Sequence, residues 1–393
     1  MSSSKGGDTI CRTVANAWHQ AAGQGYRVRF IHTADWQLGL KLRFLDPERA
    51  AQLRLLRFQT VRAIAEVART QGAEFVLVAG DALDDNGLGR DTLQQTSDAL
   101  RSYAGLPVAI LPGNHDAASA DSALLRLELP PGVQVLTTRE PVRFGDASIY
   151  PCPLMQRHEM DDPTAWLPER EPGEGIRIVM AHGGVIDFAQ SADSETPNLI
   201  DATRVIAKGF DYLALGDWHG TFRFSARAWY PGAPEATRFK ETDPGAVLLV
   251  DIDAPGAEPR VQRIPVASTR WLSRDEEMTD DVQVQDLRGW LDALEERSHT
   301  LLYLNIHGAI SLGARDALDA LLEDYAQRLV HLRCDLSRLQ TQPTEADLAK
   351  LGAEGFMLEA LKRLRESPDL LAADAIRLLY RLQRESADAV ARD

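Results

Sequence analysis

FVLVAGDALDD, residues Phe75–Asp85, is a run of strand-forming residues that stops at a glycine and is followed at once by carboxylates. A continuous apolar run bounded by a turn signal predicts a strand covered on both faces, as in a parallel sheet. An acid at the C-terminal end of such a strand is well placed to bind a ligand or to act in catalysis. Asp81 is therefore the first candidate for a metal site.

The same construction occurs at four other places in the chain. A strand-like run ends in Asp, Asn, Gln or His residues in RFIHTADWQ (29–37), VAILPGNHD (108–116), IVMAHG (178–183) and YLALGDWHG (212–220). Segments of helical pattern separate the earliest of these runs, so strand and helix alternate in the first third of the chain. This alternation predicts an α/β protein.

The composition predicts a cytoplasmic protein with no membrane segment. The chain has 393 residues, of which 44% are hydrophobic and 26% charged, and no apolar run approaches the roughly 20 residues of a spanning helix. The N-terminus lacks the zones of a secretory signal. Cys11, Cys152 and Cys334 are scattered without metal-binding spacing, which is typical of a reducing compartment.

The net charge of −15 argues against a simple nucleic-acid binder, because Lys and Arg supply most of the sequence-independent affinity for phosphate. It does not exclude a nuclease. Bound divalent metals, a local basic patch or a partner protein can provide the missing positive charge.

Four regions are predicted along the chain. Residues 1–27 form a flexible N-terminal extension, and residues 28–275 form the main α/β domain. Residues 276–343 alternate helix and strand and form a small α/β capping domain. Residues 344–393 form a helical, amphipathic C-terminal segment that Pro368 divides.

The ligand-capable residues at the five strand ends form the candidate site. They are Asp35, Gln37, Asp81, Asn114, His115, His182, Asp217 and His219. Oxygen and imidazole ligands suit Mn, Fe, Mg or Zn, and two such ions clamp a phosphate and generate hydroxide at neutral pH. This donor set indicates a hydrolase.

These motifs resemble those of the calcineurin-like metallophosphoesterase family, D-x-H, G-D-x-x-D, G-N-H-D/E, G-H and G-H-x-H. They read here DWQ (35–37), GDALD (80–84), GNHD (113–116), HG (182–183) and GDWH (216–219). The resemblance covers roughly residues 28–270 and implies a four-layer αββα sandwich. HTADWQLG (32–39) and YPGAPE (230–235) resemble the SbcD/YhaO branch of DNA repair nucleases within that family.

The resemblance also implies a role for each residue of the site. Asp81 would bridge two divalent metals, Mn being the expected ion and Mg the alternative. One metal would take Asp35, Gln37 and His219, and the other Asn114, His182 and Asp217. The catalytic pair would be His115, which faces the scissile phosphate, and Asp116, which orients the His115 ring. A hydroxide activated by the two metals would attack the phosphate.

Two residues depart from the family pattern. Gln37 stands where a histidine is usual, and Asp217 stands where the last motif usually has its first histidine. Glutamine binds a metal through a neutral carbonyl, more weakly than imidazole does, whereas aspartate adds a charge. We therefore expect an asymmetric pair of metals, labile on the Gln37 side, with a preference for Mn or Mg over Zn.

Several single residues have two interpretations. Trp36 and Trp218 either stack on a base or pack in the core. His32 is interpreted as a packed core histidine, and Asp85 as a turn residue. Basic residues near the last motif either line a phosphate track or form a solvated surface; they are Arg204, Lys208, Arg223, Arg227, Arg238 and Lys240.

The leading hypothesis is a metal-dependent phosphodiesterase that cleaves DNA, the nuclease subunit of an SbcCD-like repair or defence complex. Its partners would be DNA, an SMC-like ATPase and a second copy of the chain. The C-terminal leucines either bind that ATPase or pack on the capping domain. A second hypothesis is a phosphodiesterase for a nucleotide or another small phosphodiester. A third is a DNA-end-binding scaffold whose catalysis Gln37 and Asp217 have weakened.

Overall fold

The structure is a computed structural model. It describes residues 27–186, 197–341, 356–369, 371–372, 374–376, 378–379 and 382. It does not describe the side chains of residues 356–358 and 365. Residues 1–26 of the predicted extension (1–27) and much of the C-terminal segment lie outside the described residues.

The chain divides into two compact units, with a boundary between Ser268 and Thr269. Residues 238–240 belong to the second unit, although the chain on both sides of them belongs to the first.

Among its described residues, the first unit contains strands β1 to β14 and three α-helices. The strands are β1 (Val28–Thr33), β2 (Phe75–Ala79), β3 (Val108–Leu111), β4 (Val133–Val135), β5 (Val142–Phe144), β6 (Ala147–Cys152), β7 (Ile176–His182), β8 (Gly184–Val185), β9 (Leu199–Ile200), β10 (Tyr212–Gly216), β11 (Phe222–Arg223), β12 (Ala228–Tyr230), β13 (Ala246–Ile252) and β14 (Arg260–Pro265). The helices are α1 (Pro47–Thr70), α2 (Arg90–Leu100) and α3 (Ala202–Ala207).

Two six-stranded sheets form the centre of this unit. The first sheet has the order β14-β13-β1-β2-β3-β4, and the second has the order β11-β12-β10-β7-β6-β5. Strands β1 to β4 are parallel to one another, as are β6, β7, β10 and β12. The carboxyl ends of the parallel strands in each sheet therefore share one edge.

Apolar residues fill three spaces around these sheets. Phe30, Phe75 and Met180 belong to the core between the two sheets. A second core joins the first sheet to α1 and α2, and a third covers the other side of the second sheet with residues of α3. The predicted four-layer αββα sandwich is confirmed by this order of helix, sheet, sheet and helix.

Helix α1 begins at Pro47, directly after a capping residue. The Asp46 side chain caps it by accepting a hydrogen bond of 2.9 Å from the Arg49 amide, and Pro47 occupies the first turn, where its missing N–H is not needed. A cap of this kind stabilises a helix by about 1 kcal/mol. The buried face of the helix, which includes Leu53 and Ile64, then covers the first sheet.

The second unit has a parallel sheet in the order β15-β16-β17. Its described elements are β15 (Arg270–Met278), α4 (Val282–Asp292), β16 (Thr300–Ile310), α5 (Leu312–Arg328), β17 (His331–Thr341) and α6 (Phe356–Glu366). Leu302, Leu304 and Ile306 of β16 pack in one core with residues of α4 and α5. The predicted boundary at residue 275 falls inside β15, whose charged sequence SRDEE (273–277) does not resemble a strand.

The C-terminal segment is partly buried within the second unit. Leu361 and Ile376 pack in a small cluster with Leu312, while Leu371 and Leu382 are exposed. Among the described helices, none combines the length and the apolar character needed to cross a bilayer.

His32 lies in the core of the first unit, as predicted. Its Nε2–H donates to the Leu215 carbonyl at 3.1 Å, and its Nδ1 accepts from the Tyr212 hydroxyl at 3.0 Å. Burial lowers the pKa of the imidazole to about 3, against the smaller opposing effect of the Leu215 carbonyl. The ring is therefore neutral in the folded protein.

We expect His32 to make the protein sensitive to acid. The folded state binds this proton only near pH 3, whereas the unfolded chain binds it near pH 6.5, so stability falls as the pH drops below 6.5. The loss of unfolding free energy at pH 5 should be about 2 kcal/mol. Urea denaturation at pH 7 and pH 5 measures it. His32→Gln should flatten this dependence and the exposed control His299→Gln should not; equal slopes in the two variants would contradict the prediction.

Candidate metal centre

The predicted ligands meet where the carboxyl ends of four strands converge. Asp35 follows β1 and Asp81 follows β2 in the first sheet, while His182 ends β7 and Asp217 follows β10 in the second. Ligand atoms of Asp35, Asp81 and His182 all lie within 4.8 Å of one another, and all three residues are buried. The sequence prediction of a shared edge therefore corresponds to a compact cluster of donors.

The backbone at these strand ends adopts unusual conformations. Asp35, Gln37, Asp81 and Asp217 all have positive φ angles, of 53°, 43°, 52° and 97°. Such a conformation costs a non-glycine residue about 1 kcal/mol or more and is typical of functional sites. The chain therefore leaves the regular strand conformation at the residues that carry the candidate ligands.

Two glycines allow the close approach of the donors. A Cβ atom on Gly113 would lie 2.2 Å from Asp81 Oδ1, and one on Gly80 would lie 2.1 Å from His182 Nδ1. Any side chain at either position would displace a predicted ligand. This is the physical reason for the glycine that opens the GD and GN motifs.

The loops after β1 and β2 are joined by backbone hydrogen bonds beyond the ends of the strands. The Asp35 amide donates to the Gly80 carbonyl at 3.0 Å, and the Gln37 amide donates to the Asp81 carbonyl at 2.9 Å. Two loops that would otherwise be independent are thereby fixed relative to each other, and with them the side chains of Asp35, Gln37 and Asp81.

His182 presents one ring nitrogen to the cluster. Its Nδ1–H donates to the Ala79 carbonyl at 2.8 Å, so that Nε2 points towards Asp81 Oδ1 at 3.4 Å and Asn114 Oδ1 at 3.3 Å. Burial alone would lower the pKa of this imidazole, yet the charges of Asp81, Asp35 and Asp217 raise it well above its ordinary value. The carboxylates thus favour a positive charge at this point, which a proton or a metal cation satisfies.

Asp35 also lies where a nearby positive charge is favoured. Burial raises the pKa of its carboxyl to about 7; the charges of Asp81 and Asp217 act in the same direction, against His219 and His182. Both Asp35 oxygens accept from the Asp217 amide, at 3.2 Å each. A buried set of carboxylate, imidazole and amide donors fits a divalent cation, whose charge would offset the repulsion between the carboxylates.

Gln37 and His219 form a separate pair at the site. Gln37 Nε2 lies 3.1 Å from His219 Nε2, and His219 Nδ1 lies 2.6 Å from a carboxylate oxygen of Glu241. Because that carboxylate only accepts, His219 carries its proton on Nδ1, and Nε2 accepts from the Gln37 amide. The amide N–H of Gln37 thus faces the nitrogen that would bind a metal.

Two hydrogen bonds hold His115, one from its backbone amide and one from its ring. Its amide donates to Asp81 Oδ1 at 2.9 Å, and its ring Nδ1 donates to the Asp84 carbonyl at 2.8 Å. The ring is half-buried. Because Nδ1 is engaged with the backbone, Nε2 remains to act on a substrate.

The role predicted for Asp116 is wrong. Instead of orienting the His115 ring, its two oxygens accept from the amides of Gly113 at 2.7 Å and Leu83 at 3.0 Å. Asp116 is fully buried, and burial with the nearby Asp81 charge raises its pKa to about 7, against those two donors. Asp116 therefore joins the loop after β2 to the loop after β3. The Asp84 carbonyl, and not Asp116, orients the His115 ring.

The two tryptophans have different environments. Trp36 is buried, stacks on Tyr103 at 6.2 Å between ring centroids and donates to Thr33 Oγ1. Trp218, between Asp217 and His219, is 48% exposed. Core packing therefore describes Trp36 but not Trp218.

Several of the six basic residues near the last motif make structural contacts, among them Arg223, which lies over the Trp229 ring at 5.4 Å. Arg204 pairs with Asp162, Lys208 donates to the Leu167 carbonyl, and Arg227 donates to the carbonyls of Asp211 and Ala257. Arg238 and Lys240 are exposed. A phosphate track built from the whole set is therefore not what the structure shows.

Sequence reasoning missed the buried supports of the site. Glu241 and Thr237 both contact His219 Nδ1. Burial would raise the pKa of Glu241, but the hydrogen bond and the charge of His219 outweigh it, so the pKa is lowered. Arg57 of α1 is buried and donates to the carbonyls of Trp36 and Ala236. No spacing rule pairs these residues with the site, since they are 18 or more positions from their partners.

This architecture and donor set define a class, the metal-dependent phosphoester hydrolases. The model of the calcineurin-like phosphoesterases matches residues 28–250, more than half of the chain, and the protein belongs to that family. The chain is also similar to the uncharacterized metallophosphoesterase YhaO of Bacillus subtilis (strain 168), with 27% identity over 239 residues. The matched part is 57% of each protein, so the chain spans a little over half of that relative's length.

Gln37→His is expected to tighten the weaker of two Mn²⁺ sites by about tenfold, because an imidazole would replace a neutral amide that now hydrogen-bonds to His219. Calorimetric titration with Mn²⁺ measures the two affinities. Gln94→His, on the exposed face of α2, adds a histidine elsewhere and should change neither. Equal, tight binding at both sites of the unmodified protein would contradict the expected asymmetry.

Proposed function

We propose that the protein is a metal-dependent phosphodiesterase that cleaves DNA. The observation that supports this proposal is the convergence of Asp35, Asp81 and His182, with His115 beside them, at the carboxyl edge of both sheets. Membership in the calcineurin-like phosphoesterases gives the reaction class, and the substrate is the proposed step.

Each side chain of the site has a place in this reaction. Asp35, Gln37 and His219 would hold one divalent metal, Asn114, His182 and Asp217 the other, and Asp81 both. When bound, the metals supply Lewis acidity for the phosphate and lower the pKa of water. His115 Nε2 would donate a proton to the leaving oxygen or a hydrogen bond to the phosphate. Because Nδ1–H already donates to the Asp84 carbonyl, Nε2 has a proton to give only in the imidazolium form, which carries a proton on both ring nitrogens.

Two features of the chain support DNA as the substrate. HTADWQLG (32–39) and YPGAPE (230–235) resemble the SbcD/YhaO branch, and in the structure Tyr230 donates to the Gly183 carbonyl while Glu235 accepts from Thr60. Both segments thus contact or adjoin the loops of the site. Trp218, next to two predicted ligands, is 48% exposed, and aromatic side chains at the surface of a site are the platforms on which nucleobases stack.

We further propose that the chain acts in the cytoplasm as a homodimer and as the nuclease subunit of an SbcCD-like complex with an SMC-like ATPase. Exposed leucines in the C-terminal segment, Leu371, Leu378 and Leu382, support a helical contact with such a partner. Because the net charge of the chain is −15, a partner that supplies cationic surface would strengthen the binding of DNA.

The proposal is tested with end-labelled linear, hairpin and circular DNA, each with Mn²⁺, Mg²⁺ or a chelator, and with and without the ATPase. We expect Mn²⁺-stimulated cleavage of linear or hairpin DNA. Hydrolysis of bis-p-nitrophenyl phosphate without any action on DNA would replace DNA with a small phosphodiester. Binding of DNA ends without hydrolysis of either substrate would favour a scaffold. Sedimentation velocity reports the dimer.

A further inference from the structure

His219 is held by a short turn that the sequence motifs do not include. Glu241 Oε1 lies 2.6 Å from His219 Nδ1, and Thr237 Oγ1 lies 3.0 Å from the same nitrogen. The Thr237 amide donates to the other oxygen, Glu241 Oε2, at 2.8 Å, and its hydroxyl also donates to Oε1. Both oxygens of the carboxylate are therefore oriented by Thr237.

The contact is closed to solvent. The exposed fraction of the side chain is 5% for Glu241 and 9% for His219. A carboxylate that is buried and doubly hydrogen-bonded does not reorient freely, and an imidazole that donates to it is fixed in one ring orientation and one tautomer. The His219 lone pair is thereby on Nε2, the atom next to Gln37.

We propose that Glu241 is a positioning residue that orients His219 and increases the basicity of its Nε2, which raises the affinity of the metal site on the Gln37 side. This inference rests on the proposed role of His219 as a metal ligand. An imidazole paired with a carboxylate binds a cation more tightly than a free imidazole. Glu241 thus offsets the weak ligand Gln37, which occupies a position where an imidazole is usual in the family.

The test measures Mn²⁺ binding in the absence of any substrate, by calorimetric titration and by Mn²⁺ electron paramagnetic resonance. Glu241→Gln keeps the size of the side chain and removes its charge. We expect it to weaken one of the two Mn²⁺ sites by about 10- to 100-fold and to leave the other within about twofold. Glu241→Asp, which restores a carboxylate, should recover part of the affinity.

Glu235→Gln is the matched control. Glu235 is a buried carboxylate of the same loop that accepts from Thr60 and from the Ser268 amide. It should alter thermal stability without altering either Mn²⁺ affinity. A role of Glu241 in stability alone would give the same result for both variants and would overturn the proposal.

A second measurement does not depend on the variant. The ¹⁵N shifts of His219 in the unmodified protein should show the proton on Nδ1, and a proton on Nε2 would overturn the proposal. The outcomes also separate this inference from the proposed function. Unchanged Mn²⁺ affinities in folded Glu241→Gln overturn the inference alone, whereas failure to cleave DNA overturns the proposed substrate alone.

Discussion

Asp81→Asn is expected to reduce phosphodiester hydrolysis by about 10³-fold or more. Asp81 is buried at the centre of the donor cluster, 3.4 Å from His182 Nε2, and its Oδ1 accepts from the His115 amide at 2.9 Å. Asparagine keeps the shape and that acceptor but lacks the charge that would hold two cations together. Loss of a metal that contributes several kcal/mol of transition-state stabilisation gives an effect of this size.

The same chemical change can be made four residues away as a control. Asp85 is a half-buried turn residue whose carboxylate accepts from the Gly87 amide, an interaction that asparagine also makes. Asp85→Asn should therefore retain the activity of the unmodified protein. Rates are measured with bis-p-nitrophenyl phosphate and with linear DNA under saturating Mn²⁺. Full activity of Asp81→Asn would refute the bridging role.

The position of the site was predictable from the sequence because of a general property of parallel sheets. Runs such as Phe75–Ala79 identify buried strands by composition alone, and the residues after such strands must meet at one edge. Asp35, Asp81 and His182 follow this rule, so their proximity needed no knowledge of the loops. His32 could also be distinguished from the candidate ligands, since a histidine before the end of a buried strand faces the core.

The contacts inside the site were not predictable in the same way. The family resemblance implied that Asp116 orients the His115 ring, yet its carboxylate accepts from the amides of Gly113 and Leu83. The direction depends on the loop backbone, which no residue pattern specifies. Glu241 and Arg57 lie beyond the reach of motif reasoning for a related reason, because their partners are distant in the chain.

Strand β15 shows where a pattern failed for a physical reason. Charged residues at Arg274, Asp275, Glu276 and Glu277 lower its intrinsic strand propensity. In the structure Arg274 pairs with Glu276 and lies over the Trp290 ring at 4.4 Å, so these charges are satisfied locally. Tertiary pairing with β16 over nine residues then outweighs the propensity.

His115→Asn should lower kcat for DNA by about 10²- to 10⁴-fold, the usual contribution of a general acid, and leave Mn²⁺ affinity within about twofold. Asparagine retains a donor near the position of Nδ1, which binds the Asp84 carbonyl, but has no group in place of Nε2. The exposed histidine His158, changed in the same way, is the control and should have no effect.

The leaving group then decides how His115 acts. A sugar alkoxide is a poor leaving group that needs a proton, whereas p-nitrophenolate is stable as an anion. If His115 protonates the leaving oxygen, His115→Asn should impair DNA cleavage far more than hydrolysis of bis-p-nitrophenyl phosphate. An equal loss with both substrates would mean that His115 stabilises charge on the phosphate instead. No loss with either would refute a catalytic role, and would leave the contact between its amide and Asp81 as its contribution to the site.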